Sequence, residues 1–162
     1  MATATISKDN DKTANAVDIR HQKVAEIISS SVKWSAAGGV VPVPYLDLLA
    51  VGAVQVQMVR KLAAAYGQEA DEQNLKAIIT SLLGTLAPAA VSTTLLGSSV
   101  KLIPISGTLL GSAGMAAFAA ASTYAIGKVF VRHFEGGGSM LDFSVDAIKK
   151  ELQEEFSSSR AN

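Results

Sequence analysis

Hydrophobic residues recur at helical spacing along most of the chain, and this pattern predicts four helices before a glycine triplet. From Val17 the apolar positions fall three or four residues apart with charged residues between them, which predicts an amphipathic helix ending at a glycine pair. A second helix begins at Pro44, because proline suits the first helical position, and ends near Tyr66. The predicted third and fourth helices cover about residues 75–98 and 106–134.

The stretch from 77 to 127 contains a single charged residue, Lys101, which lies close to Pro104. Each arm beside this corner has roughly two dozen residues, enough to cross the ~30 Å apolar core of a bilayer. The first arm is rich in serine and threonine and the second is mostly alanine and glycine, so insertion is only marginally favourable. The hairpin therefore fits either a membrane or the inside of a helical bundle. We take Lys101 and Pro104 as its corner residues, and Pro44 as the corresponding corner residue of the preceding hairpin.

The two ends of the chain differ from this middle. Residues 1–15 are small, polar and mixed in charge, which predicts a disordered tail. The glycines within 136–139 predict a hinge, and a serine followed three residues later by an aspartate predicts a capping box for an amphipathic helix over 140–157. Residues 16–135 form the helical, membrane-associated domain. The predicted fold is all-α, with two apolar helical hairpins (four core helices) and a C-terminal amphipathic helix.

The two hairpins resemble each other in sequence. Shifting Pro44 onto Pro104 also aligns Gly67 with Gly127, together with several Val, Leu and Ala residues. Repeated helical hairpins are common in integral membrane folds. Residues as frequent as Val, Leu and Ala also match by chance, so both an internal repeat and a coincidence stay open.

Small residues form a stripe along the predicted fourth helix. Residues four apart share a helix face, and such faces let a second backbone approach closely. In membranes they mediate helix association, whereas a tightly packed soluble bundle shows the same pattern. The candidate helix-packing residues are Gly107, Gly111, Ala113, Ala117, Ala121 and Ala125.

Few residues are candidates for catalysis or for binding a ligand or metal. Asp47 is the only charged residue between Trp34 and Val59, and it is either an intramembrane carboxylate or an acid favoured by the dipole at a helix start. His21 and His133 lack a set of further ligands at metal-binding spacing. The chain has no cysteine, no nucleotide-binding glycine motif and a net charge of zero. We therefore expect no enzyme activity, no cofactor, no metal and no nucleic acid.

Two segments resemble an uncharacterised bacterial family. The first is Val41-Pro-Val-Pro-Tyr-Leu-Asp-Leu-Leu, continuing through Gln55-Val-Gln-Met-Val-Arg-Lys-Leu. The second is Ile103-Pro-Ile-Ser-Gly-Thr, continuing through Ser122-Thr-Tyr-Ala-Ile-Gly-Lys. The family includes the YcjF-like inner-membrane proteins, and its domain is also fused to, or encoded beside, Era-like or dynamin-like GTPases. The resemblance implies a helical membrane-associated module that works with a GTPase in trans, and it carries over no catalytic residue.

These observations predict a non-enzymatic, membrane-associated helical protein that self-associates and recruits a cytoplasmic partner, with a GTPase as one candidate. The N-terminus shows no signal-peptide pattern, and Lys76, Lys128 and Arg132 flank the uncharged stretch. We therefore expect the bacterial inner membrane, with both termini cytoplasmic. The alternative is a soluble or conditionally inserting α-helical scaffold in the cytoplasm. A channel or transporter that uses Asp47 is the third interpretation.

Overall fold

The computed structural model describes residues 3–38, 46–96 and 107–161, in which all regular structure is α-helical. This confirms the predicted all-α class. Side chains are described for residues 12–38, 50–86, 88 and 114–161. The helices are α1 (Thr3–Gly38), α2 (Leu46–Ala65), α3 (Glu72–Leu96), α4 (Gly107–Glu135) and α5 (Val145–Ala161).

The start of α1 differs from the sequence prediction. Residues 1–15 have the composition of a disordered tail, whereas α1 is helical from Thr3. The side chains from Lys12 to Lys23 are all exposed, so surface contacts such as that of His21 with Glu135, rather than apolar burial, hold this part of the helix. Extending an existing helix needs no new nucleation, and the packed C-terminal half of α1 supplies the nucleus. A composition argument considers only the missing apolar residues and overlooks this continuity.

Helices α2 and α4 run parallel at the centre of the fold. Tyr66, just after α2, hydrogen-bonds Glu135 at the end of α4, and Gln55 in mid-α2 bonds Ser122 in mid-α4. Helices α1, α3 and α5 run in the opposite direction. The contacts α2–α3, α3–α5, α5–α4 and α4–α2 close a ring, and α1 packs outside it on α2 and α4.

One apolar core lies within this ring. Phe118 of α4 meets Phe156 of α5 edge to face at 5.6 Å between ring centroids, and Phe130 stacks on Phe143 at 4.2 Å. Burying each large apolar side chain contributes about 1.5–3 kcal/mol. The largest fully buried apolar side chains are Val51, Met58, Leu62, Leu75, Ile79, Leu82, Leu86, Ile126, Phe130, Leu152 and Phe156.

Glycines end α2 and α4 at the same end of the bundle. Gly67 has φ 69° and Gly137 has φ 83°, a left-handed conformation that glycine adopts without strain. The amide of Gly138 donates to the carbonyl of His133 at 2.9 Å, which completes a Schellman cap on α4. The glycine triplet that the sequence predicts as a hinge therefore forms a hydrogen-bonded turn. Gly127, the repeat partner of Gly67, lies inside α4 instead, so this pair has no common structural role.

α5 begins at Val145, later than the predicted residue 140. The capping-box contact does form, because the amide and hydroxyl of Ser139 both donate to Asp142 Oδ1 at 2.6 Å. These hydrogen bonds hold the pKa of the Asp142 carboxyl below its usual value. However, they stabilise the loop before the helix. Ser144 occupies the cap position, with its hydroxyl oxygen 3.5 Å from the amide of Ala147.

Candidate membrane and partner-binding surfaces

The uncharged stretch from 77 to 127 divides into two parts. Its flanks, residues 77–86 and 114–127, belong to the bundle and supply core residues such as Leu82. Within the described helices, one segment, Gly114–Glu135, is long and apolar enough to cross a membrane, and 61% of its most apolar window is buried inside the protein. Among the described residues the structure thus offers one candidate span, and most of its apolar window is buried in the core.

We call residues 87–113 the hairpin segment. It carries only one charged residue, Lys101. α3 continues into this segment as far as Leu96, and α4 emerges from it at Gly107. Lys101 and Pro104 lie outside the described residues, as does Pro44. Two core helices thus extend into a segment of 27 residues that has one charged side chain, Lys101.

The predicted small-residue stripe is used partly inside the protein. Ala121 and Ala125 are 5% and 0% exposed and pack in the core, whereas Ala117 is exposed. The packing role of the two buried alanines is therefore met within one chain. Self-association through the remainder of the stripe stays a prediction. That remainder lies in the first half of α4 and consists of Gly107, Gly111, Ala113 and Ala117.

Gly127 marks a close approach between three helices. A Cβ atom added there would lie 3.0 Å from Ile28 Cγ1 and 3.2 Å from Ile28 Cδ1 of α1, and 3.4 Å from Met58 Cε of α2. Because the two Ile28 distances are shorter than normal contact, a side chain at position 127 would require Ile28 to shift by a few tenths of an ångström. The sequence pattern pairs Gly127 with Gly67 and gives no sign of this contact.

A buried polar node joins α1, α2 and α4. The amide nitrogen of Gln55 donates to the hydroxyls of Ser122 and Thr123, each at 3.2 Å, and Thr123 donates to Ser35 at 2.8 Å. Gln55 Oε1 is buried and has no hydrogen-bond partner among the described residues. Nothing in the local sequence distinguishes buried Gln55 from exposed Gln57, since the partners lie far along the chain.

An open groove runs along α4 between α1 and α5, which do not contact each other. It consists of two cavities of about 520 and 590 Å³ that share Val32 and Tyr124. Its rims come from α1 and from the C-terminal end of α5. The α4 residues on its floor are Ala117, Ala120, Ala121, Tyr124, Lys128, Val131 and Glu135.

The groove is lined by carboxylates that interact with neighbouring side chains and by two lysines that form no ion pair with a described residue. Glu135 accepts a hydrogen bond from the Tyr66 hydroxyl at 3.0 Å and lies 3.4 Å from His21. Burial and this hydrogen bond raise the pKa of Tyr66 to about 12. Lys33 and Lys128 form no ion pair within the described part of the chain. The groove therefore has a surplus of positive charge.

The structure separates the run Thr123-Tyr-Ala-Ile-Gly-Lys into residues that pack inside the bundle and residues that line the groove. Thr123 belongs to the polar node, and Ala125 and Gly127 allow close helix packing. Tyr124 is 38% exposed, and both it and Lys128 line the groove. These two side chains are the members of the run that are not buried, so they are its candidate functional residues.

The remaining candidates do not form a site. Asp47 follows Leu46 in the first turn of α2, the position that a helix dipole favours. His133 is packed against Phe143 and its Nε2 lies 2.8 Å from the carbonyl oxygen of Ser139. Within the described residues, no three His, Asp or Glu side chains come close enough together to hold a metal.

Comparison with known proteins identifies a curated relative and a family. Over 139 residues, which cover 85% of this chain and 71% of the relative, the sequence is 37% identical to magnetosome membrane protein 22 of Magnetospirillum gryphiswaldense. No solved structure shows a significant match. The family model described as a domain of unknown function, DUF697, matches residues 8–161. Both the extent of this match and the identity to the relative establish that the chain belongs to the DUF697 family.

Proposed function

We propose that this protein is a non-enzymatic, membrane-associated helical module of the bacterial inner membrane. The hairpin segment enters the bilayer, and the five-helix bundle with both termini stays in the cytoplasm. The observation that carries this proposal is the continuation of two core helices into a segment whose only charge is Lys101. The relative named as a membrane protein supports membrane association.

Helix length limits how deeply the hairpin segment reaches. It has about 13 residues on either side of Lys101, and a helix of that length would span about 20 Å at ~1.5 Å per residue. A full crossing needs about 20 residues per helix. With the bundle intact, the hairpin segment therefore enters the bilayer without crossing it.

Charged substitutions in the hairpin segment test membrane entry. Replacing both leucines at the end of α3, Leu95→Arg with Leu96→Arg, adds about 3 kcal/mol of insertion cost at each site. We expect wild type in the membrane pellet after a carbonate wash and the double variant in the supernatant. Leu141→Arg is the matched control, because Leu141 is 98% exposed and outside the hairpin segment. Wild type that stays entirely in the supernatant would refute the proposal.

The absence of cysteine makes insertion depth measurable. In Lys101→Cys the new thiol is the only one in the chain. We expect it to be protected from a membrane-impermeant maleimide added to either side of membrane vesicles. Leu141→Cys is expected to react from the cytoplasmic side only. Labelling of the Lys101→Cys variant from the periplasmic side would instead indicate a spanning hairpin.

Self-association is the second part of the proposal. Within the hairpin segment the small residues at the start of α4 would let two copies approach closely. We expect Gly111→Leu to shift the detergent-solubilised protein toward monomer in analytical ultracentrifugation. Gly84→Leu is the control, because Gly84 is a helical glycine with no atom within 4 Å of an added Cβ. Equal association of both variants would contradict a role for the stripe.

A GTPase acting in trans is the partner that the family resemblance favours. We expect the purified protein to alter the rate of GTP hydrolysis by such a GTPase while showing none itself. Hydrolysis by the protein alone would contradict a non-enzymatic role.

A soluble or conditionally inserting scaffold is the second candidate. The burial of 61% of the most apolar window of α4 favours it, because this helix already has a protein environment. A monodisperse particle purified without detergent, combined with wild type in the carbonate supernatant, would select this candidate.

A further inference from the structure

We propose that the groove on α4 binds an acidic amphipathic helix of a protein partner, with Tyr124 and Lys128 as its main recognition residues. The partner assignment rests on the proposed function, because it requires the bundle to lie in the cytoplasm. It specifies the kind of cytoplasmic partner that the protein recruits.

The shape of the groove suits a helix. Its floor runs from Ala117 to Glu135 at steps of three or four residues, the spacing of a helix-packing face. This is about five turns, or ~27 Å. The alanines at one end allow a backbone to approach closely, and Tyr124 in the middle offers a large amphipathic contact of the kind enriched at binding hot spots. Helix α1 forms a wall along the cavity that holds Lys33 and Lys128, and the C-terminal end of α5 forms a wall beside the alanines, as in a helix-in-groove site.

Charge selects an acidic partner. Lys128 on the floor and Lys33 on the α1 wall line the same cavity as Tyr124, without an ion pair in the described structure. The carboxylates of Glu135 and Glu155 are already engaged, the first by a tyrosine hydroxyl and the second by a guanidinium group. A partner carboxylate between the two lysines would therefore meet two positive charges, which outnumber the single carboxylate that lines this cavity, Glu135.

The position of the groove favours a protein over a lipid headgroup. Lys128 lies 15 residues along α4 from Ala113, the end of the hairpin segment, which corresponds to ~22 Å. The headgroup region adds only about 5–8 Å to each side of the apolar core. If the hairpin segment alone enters the bilayer, the centre of the groove lies beyond the reach of lipid phosphates.

A second copy of this chain offers no suitable acidic helix. The exposed part of α1 from residue 12 to 23 carries Lys12, Arg20 and Lys23 against a single carboxylate, Asp18. The exposed charges of α5 are balanced between acidic and basic residues. The complementary surface must therefore come from a different protein.

Site-specific photo-crosslinking in the source cells tests this assignment. Tyr124→p-benzoylphenylalanine places the probe in the groove, and Trp34→p-benzoylphenylalanine is the control, because Trp34 is 70% exposed and does not line the groove. We expect the groove probe to give a protein adduct whose crosslinked peptide, identified by mass spectrometry, is an amphipathic helix rich in Asp or Glu. Adding Lys33→Glu and Lys128→Glu is expected to lower the adduct yield by about tenfold. Lys149→Glu, an exposed charge reversal on α5, should leave the yield unchanged.

The outcomes separate this inference from the proposed function. Crosslinks only to the chain itself, only to lipid, or to a segment without acidic residues would overturn it, as would the absence of an adduct. An adduct yield that resists both lysine reversals would also overturn it. The same variants are fractionated with carbonate. Variants that stay in the membrane and show one of these results would refute the groove assignment alone, whereas wild type in the supernatant would refute membrane association.

Discussion

Gly127 provides a quantitative test of the helix packing. In an exposed helix interior, Gly→Ala stabilises a protein by about 1 kcal/mol, because alanine has the higher helix propensity. At Gly127 the new methyl group would lie 3.0 Å from Ile28 Cγ1 and 3.4 Å from Met58 Cε. Overpacking of this kind costs about 1–3 kcal/mol. We therefore expect Gly127→Ala to be neutral or to destabilise the fold by up to about 2 kcal/mol.

Gly84→Ala is the matched control. Gly84 is also a helical glycine, and an added Cβ there would meet nothing within 4 Å. This variant should gain the full propensity term, so the two substitutions should differ in the free energy of unfolding by about 1–3 kcal/mol. The assay is urea unfolding in mild detergent, followed by far-UV circular dichroism, with the two variants measured side by side.

A double-mutant cycle identifies the contact responsible. Ile28→Ala removes the side-chain atoms that the Gly127→Ala methyl group would approach, so the second substitution should cost less in this background. We expect a coupling energy of about 1 kcal/mol or more. If Gly127→Ala stabilised the protein as much as Gly84→Ala does, or if the cycle showed no coupling, the close approach of α1 to α4 would be refuted.

Three further predictions concern single side chains. Gln55→Met keeps the side-chain volume and removes the orphaned Oε1, but it also removes the two hydrogen bonds that the amide donates to Ser122 and Thr123. Because these effects oppose each other, we expect urea unfolding to change by less than about 1 kcal/mol; a loss of about 2 kcal/mol or more would contradict the orphaned oxygen. Phe156→Ala should cost about 3–5 kcal/mol, whereas Arg132→Met should cost less than about 1 kcal/mol, because Phe156 is buried and the Arg132 ion pairs are half exposed. If Arg132→Met lowered the free energy of unfolding more than Phe156→Ala does, the ion pairs rather than apolar packing would hold α5 on α4. Tyr66 should ionise near pH 12 in an absorbance titration, so its contribution to stability is complete below pH 10 and is lost as the pH rises through 12. Tyr66→Phe should remove this late step, and ionisation of every tyrosine near pH 10 would refute it.

The helices could be predicted because local rules and tertiary structure agree on them. Helical periodicity, together with the glycine that caps α2, locates α2 to within about two residues, which is the usual uncertainty of helix ends. The start of α5 was misplaced because Ser139 and Asp142 satisfy a capping pattern that the loop itself uses, while Ser144 caps the helix. Local motifs of this kind predict that a hydrogen bond forms, but not which element it stabilises.

The candidate surfaces depend on contacts that a sequence does not contain. Gln55 and Thr123 are 68 residues apart, and Thr123 and Ser35 are 88 apart, so no local pattern connects them. The groove exists because α1 and α5 fail to meet over α4, which is a property of packing. Hydropathy also treats burial in a core and burial in lipid alike, since both remove apolar side chains from water. For this reason the hydropathy pattern shows 77–127 as one uncharged stretch, although residues 77–86 and 114–127 belong to the bundle.

This division links membrane depth to folding stability. The hairpin segment supplies about 13 of the ~20 residues that each arm needs for a crossing. The missing residues are the adjacent turns of α3 and α4, which carry Leu82, Leu86 and Phe118 of the core. Moving those turns into lipid would remove their side chains from the bundle, so a spanning hairpin and an intact bundle exclude each other. Substitutions that stabilise the bundle should therefore favour the shallow state, and those that loosen α3 or α4 should favour the crossing.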